Sequence, residues 1–177
     1  METVSRASAN ECLPLVGRTV DAIFQDLGYW HLFVALRCLD GQTIVFNTED
    51  VGVATYFEVF PIKVSLEATE KREWRELDAP RRVAAVLPLF REEWLEPTTP
   101  HPEHVGSAPH YAQSAGHGPA PAHAVQHVVV QAGIELRCED TDSIVVFASS
   151  TAPFNVEVAH QRAEIKNALS GFKATEA

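Results

Sequence analysis

Apolar residues recur at alternate positions over several short stretches of this chain, and turn-forming residues separate the stretches. Two of them stand out. Residues 36–46 read Leu-Arg-Cys-Leu-Asp-Gly-Gln-Thr-Ile-Val-Phe, and residues 136–147 read Leu-Arg-Cys-Glu-Asp-Thr-Asp-Ser-Ile-Val-Val-Phe. Leu36, Arg37, Cys38, Asp40, Ile44 and Val45 are met again at Leu136, Arg137, Cys138, Asp140, Ile144 and Val145, and Thr43 is answered by Ser143. A branched strand, an acidic turn and a second branched strand predict a β-hairpin in each place. Asp40-Gly41 suits the two positive-φ positions of a tight type I′ turn. The recurrence points to two related β units.

The rest of the pattern fits around these hairpins. Residues 15–24 alternate imperfectly, and Gly17 and Thr19 favour strand over helix. Residues 26–28 read as a turn. Residues 30–38, 43–46, 55–60 and 62–66 read as strands, with Pro61 marking an edge or bulge. Residues 71–82 interleave bases with acids around Trp74, which predicts an exposed-face strand. Residues 83–90 are apolar throughout, which predicts a central strand ending at Pro88. Residues 91–96 suit one helical turn. Further on, residues 128–130 are strand-like, Gly133 marks a break or bulge, and residues 154–158 echo residues 57–59. Residues 159–169 predict a helix: Arg162, Ile165, Leu169 and Phe172 recur at helical spacing, and Gly171 stands where a C-terminal cap would go.

The expected organisation is an N-terminal arm (1–14), a first β-rich unit (15–96), a Pro/His-rich linker or loop (97–124), and a second β unit with the helix (125–177). The units form one core or two lobes. The expected fold is a β-dominated α+β domain, an antiparallel sheet or small barrel-like sandwich with a C-terminal helix.

Charge changes the picture next. Acids outnumber bases by 24 to 14, a formal charge of −10. Such a field repels nucleic acid and anionic membranes and favours a basic partner. No apolar run approaches the ~20 residues of a membrane span, and the N-terminus lacks the apolar core of a signal peptide. The three cysteines have no framework spacing. A cytoplasmic protein is expected.

The candidate chemistry is sparse. Acidic residues gather at the turns: Asp40, Glu49 and Asp50 in one unit, Glu139, Asp140 and Asp142 in the other. Carboxylates so placed suit a basic partner or a hard cation, although Asp in a turn also serves its own backbone. Six of the eight histidines lie between His101 and His127. His101, His104, His123 and His127 are the candidate metal ligands, with His123 and His127 sharing a face if that segment is helical. No phosphate loop, nucleophile elbow or zinc-protease motif is present, so no cofactor is expected. Arg37 and Arg137, alike within apolar strands, are expected on the wet face beside an acid. These observations point to a non-enzymatic acidic binding protein, of the inhibitor or immunity kind, capping a basic protein. The alternatives are a metal-binding protein or metal-dependent enzyme using the His-rich segment, and a self-associating structural subunit.

Overall fold

The computed structural model describes residues 2–4, 13–26, 32–53, 57–68, 72–95, 126–139, 141–152 and 154–172. Segment 97–124, with His101, His104 and His123, lies outside the described residues, as do Asp140 and Cys12. The strands are β1 (Glu2–Val4), β2 (Thr19–Gln25), β3 (Phe33–Cys38), β4 (Gln42–Thr48), β5 (Val51–Val53), β6 (Phe57–Val59), β7 (Ile62–Ala68), β8 (Arg75–Leu95), β9 (Gln126–Cys138), β10 (Ile144–Ala148) and β11 (Val156–Ala159). A 3-10 turn, Leu13–Leu15, precedes β2, and one helix, α1 (Arg162–Leu169), follows β11. Both predicted hairpins and the helix are present.

The main sheet is open and mostly antiparallel, in the order β11-β10-β9-β8-β2-β3-β4-β7; β1 adds to β9 in parallel, and β5-β6 is a separate hairpin. That order is its own mirror in sequence. β2-β3-β4-β7 is one four-strand meander and β8-β9-β10-β11 is the other. Their registers match residue for residue. Val20 faces Cys38, the register slips at Asp21, and Ala22 faces Arg37. In the second half Val83 faces Cys138, the register slips at Ala84, and Ala85 faces Arg137. At the outer strands Phe46 faces Val64 and Thr48 faces Ile62, while Val146 faces Val158 and Ala148 faces Val156. A shared bulge is a stronger mark of relatedness than shared branched residues, because any strand needs Val and Ile but few need a slip at one given place.

The match also corrects the sequence reading. The counterpart of residues 154–158 is 60–64, not 57–59, and Phe154 meets its own counterpart Phe60 edge to face at 6.3 Å. The halves divide between β7 and β8, and segment 97–124 interrupts the second half between β8 and β9, which pair directly.

Both halves line one core. Val20, Leu36, Ile44 and Phe46 cluster with Val83, Leu136, Ile144 and Val146, all fully buried. β11 touches β3 and β4, and β7 touches β9, so the open sheet folds over on its inner face. Burying each such side chain stabilises the fold by roughly 1.5–3 kcal/mol.

Several local expectations change. The first hairpin turn is not the two-residue form. The Gly41 N–H donates to the Cys38 carbonyl at 3.0 Å, so Leu39 and Asp40 are its central residues, and Gly41 follows in the left-handed region with φ 81°. This is the three-residue connection ending in a glycine bulge. Residues 91–95 form no helical turn: they pair with 130–126 of β9, whose backbone outweighs their helix propensity. Pro88 does not end β8 and sits opposite Ile134. Beyond Arg82, β8 pairs among the described residues with β9 alone, and proline is tolerated where a strand is not hydrogen-bonded on both sides. Trp74 is half-buried, edge-on to Phe24 at 6.3 Å and under the Arg37 guanidinium at 5.6 Å. Helix α1 ends through i→i−3 bonds at Ser170, Gly171 and Phe172, so Gly171 is not a left-handed cap. Gly133 does mark a bulge, since Leu89 faces Gly133 and Phe90 faces Gln131, skipping Ala132.

Candidate functional site

The acidic turns sit close to bases of their own chain. Asp40 Oδ2 accepts from Arg18 Nη1, and Asp40 Oδ1 accepts from the Gln42 N–H at 3.2 Å. Glu49 lies 3.8 Å from Lys63, Glu139 3.8 Å from Arg82, and Asp142 3.3 Å from Arg162. Asp50 is exposed and has no base beside it among the described residues. The two turns are not brought together. Leu39 N–H donates to the Thr19 carbonyl and Glu139 N–H to the Arg82 carbonyl, with Thr19 and Arg82 themselves paired. β3 and β9 therefore end on one row across the sheet while running in opposite directions, and their turns leave that row on opposite sides.

The matched arginines behave differently. Arg37 donates from Nε and Nη2 to Asp21 at 3.0 and 2.8 Å and from Nη2 to Glu76 at 2.7 Å. The hydrogen bonds to Asp21, then Glu76, raise its pKa further above the usual arginine value. Arg137 is more exposed and, among the described residues, reaches only Glu135, two residues back on its own strand, at 3.4 Å. Both thus lie beside an acid, but only Arg37 bridges strands.

Among the described residues no group of three or more His, Cys, Asp or Glu is disposed to hold a metal ion. His127 is on strand β9, not on a helix, and stacks on Trp94 with ring centroids 4.1 Å apart, its Nε2 3.5 Å from Glu92. Cys38 and Cys138 are free thiols, separated by β2 and β8. Three strand spacings put them about 14 Å apart, beyond any disulfide. Burial pushes the Cys38 thiol up to about 11 and the Cys138 thiol upward as well, so neither is poised as a thiolate nucleophile.

What the sequence reading missed is a cleft between α1 and the outer face of the second half. Its volume is about 560 Å³. The helix explains it: Ile165, Ala168, Leu169 and Phe172 face Leu89, Val145, Phe147 and Ala159 in a second apolar cluster. The helix start is fixed by a capping box in which Glu164 Oε2 accepts the N–H of Gln161. Phe172 can approach because residue 133 is Gly. A Cβ there would stand 3.1 Å from Phe147 Cβ and 3.2 Å from Phe172 Cζ. One end of the helix is thus held tight, and the cleft opens beside it.

The cleft carries a defined set of polar groups. Arg91, mostly buried, donates from Nη1 to the Ala148 carbonyl at 3.0 Å and from Nη2 to Glu93 at 2.8 Å. Ser149 is only 7% exposed, with its hydroxyl 3.3 Å from that of Thr151. Asn167 and Glu157 also line it. The helix period was visible in the sequence. Arg91 gave no signal, because whether it enters a cleft depends on the strand register and on the helix laid across it.

Comparison with known proteins leaves the chemistry to these side chains: no family model matches the chain, and no curated protein or solved structure is significantly similar to it.

Proposed function

We propose that this chain is a non-enzymatic binding protein whose partner presents a basic surface, in the manner of an inhibitor or immunity protein. One observation carries the reading: among the described residues the arginines are taken up internally. Arg18, Arg37, Arg82, Arg91, Arg137 and Arg162 each meet an acid of the same chain. Arg81 is directed to the carbonyls of Asp142, Ser143 and His160. With 24 acids to 14 bases, one-to-one pairing leaves at least ten carboxylates with no base. The field left outside the pairs is negative, and a negative field steers a basic protein toward contact.

Asp40, Glu49, Asp50, Glu139, Asp140 and Asp142 remain the candidate contacts, with one refinement. At Asp40, Glu139 and Asp142 a partner's base competes with Arg18, Arg82 and Arg162, which lie at surface pairs worth little in themselves. Because the two turns leave the sheet on opposite sides, one partner engages one turn. The test begins with capture of a partner from extract on the immobilised chain. The association rate of the captured protein is then measured against ionic strength. The rate is expected to fall steeply with salt and to drop on Asp50→Asn, Asp142→Asn double substitution. A rate indifferent to salt, or no retained partner at low salt, removes the proposal.

A further inference from the structure

We propose that the cleft beneath α1 is a binding site for a small zwitterion with an apolar side chain, the class to which free α-amino acids belong. This goes beyond the reading of the chain as a protein-binding partner and does not depend on it.

The argument rests on what the cleft offers a ligand. Its floor is apolar, with Phe147 and Phe172 set edge to face at 6.1 Å and Val158, Ala159 and Ala168 beside them. That floor suits a hydrocarbon or aromatic side chain. The polar wall holds both signs of charge. On the cationic side is Arg91. A guanidinium has five N–H donors, and three of these go to Glu93 and Ala148. Each terminal nitrogen keeps one N–H, and the guanidinium is held in place by the groups it already meets. An N–H on either terminal nitrogen can donate to a carboxylate, and a charge-assisted bond of this kind is among the strong ones. Ser149 and Thr151 place two hydroxyls on the same wall.

On the anionic side are Glu157 and Glu164. Glu164 is engaged at the helix start through His160 N–H and Gln161 N–H. Glu157 meets no base among the described residues. It projects from β11 opposite Phe147 of β10, next to the apolar floor, where an ammonium would have it as partner. The volume, about 560 Å³, exceeds what one amino acid fills and leaves room for ordered water. An anion alone would leave Glu157 beside it unpaired, and a cation alone would leave unused the N–H groups that Arg91 keeps beyond its pair with Glu93. A ligand with both charges satisfies both, and partly buried charge pairs discriminate strongly against analogues that lack one partner.

Calorimetric titration of the full chain decides the matter with three probes: L-phenylalanine, 3-phenylpropanoate and 2-phenylethylamine. L-Phenylalanine is expected to bind about tenfold or more tightly than either singly charged probe, the scale of one lost charge-assisted hydrogen bond. Glu157→Gln is expected to abolish the preference of L-phenylalanine over 3-phenylpropanoate and not to weaken binding of 3-phenylpropanoate, since a like charge is removed. Arg91→Gln is expected to abolish the preference over 2-phenylethylamine. Because Arg91 also holds the end of β10, Glu157→Gln is the decisive variant. The proposal is overturned by absence of heat with L-phenylalanine at about 10 mM, since a weaker Kd lies beyond useful affinity. It is equally overturned by equal affinity for all three probes, or by a charge preference that survives Glu157→Gln.

Discussion

The two halves share an inner face and differ on the outer one. Inside, matched residues do matched work: Leu36 and Leu136, Ile44 and Ile144, Phe46 and Val146 are all fully buried in one core. Outside, the second half is covered by α1 through apolar contacts. The first half carries a cationic and aromatic cluster instead. Arg72 lies over Phe24 and Phe33 at 5.5 and 5.0 Å, and Arg37 lies over Trp74 at 5.6 Å. Positions 33 and 47, Phe and Asn, correspond to Gly133 and Phe147. Where the second half has glycine beside Phe172, the first half has Phe33, stacked on Phe24 at 5.5 Å and covered by Arg72. One backbone plan thus supports two surfaces, and the choice is made by a few outward-facing residues that leave the ladder untouched.

The largest test of this comparison is at the core. Leu36→Ala and Leu136→Ala should each destabilise by ~2–5 kcal/mol, and by similar amounts, because each leaves a cavity in the same interior. Urea midpoints would measure both. A cost borne by one position alone would break the equivalence of the halves. Next in size is the cover of the second half. Phe172→Ala should cost ~2–3 kcal/mol, less than the ~3–5 kcal/mol of a fully buried aromatic truncation, because Phe172 is only partly buried. Gly133→Ala should cost ~1–3 kcal/mol by overpacking against Phe147 and Phe172. In the double variant the Gly133→Ala penalty should shrink, a coupling that a double-mutant cycle reads.

A smaller effect separates the matched arginines. Arg37→Met should cost about 1–2 kcal/mol, since it leaves Asp21 without its partner, whereas Arg137→Met should stay within ~0.5 kcal/mol. Equal costs would mean that the bridge to Asp21 and Glu76 contributes nothing.

The smallest is a pH effect confined to the second half. His160 joins β11 to α1, with its Nε2 3.0 Å from Arg75 Nη2. Burial first, and Arg75 next, lower its pKa below 6.5. A depressed histidine pKa means that the unfolded chain binds the proton more readily than the folded one. The stabilising contribution of neutral His160 is present above about pH 6.5 and is lost as pH falls from there toward the lowered folded value. Thermal melts of wild type and His160→Gln between pH 7.5 and about 5 should converge as pH falls. Parallel curves would show that His160 does not titrate on unfolding.

The recurrence of Leu-Arg-Cys and Ile-Val, the alternation around it and the helical spacing of Ile165, Leu169 and Phe172 were readable in the chain, because burial on one face imposes a period on each element by itself. The shared slip at Asp21 and Ala84 was not. A bulge is a relation between two strands, and no single strand records it. Residues 91–95 carry helix-forming side chains, yet their backbone groups meet β9, and ladder bonds decided the outcome. Asp40-Gly41 announced a turn, but the hydrogen bond from Gly41 to Cys38 selected its form. The charges were countable from the start. Which arginine answers which carboxylate depended on strands brought together from distant parts of the chain, and so did the cleft that Arg91 and Glu157 share. Local chemistry set the elements; the pairing of distant strands set their partners.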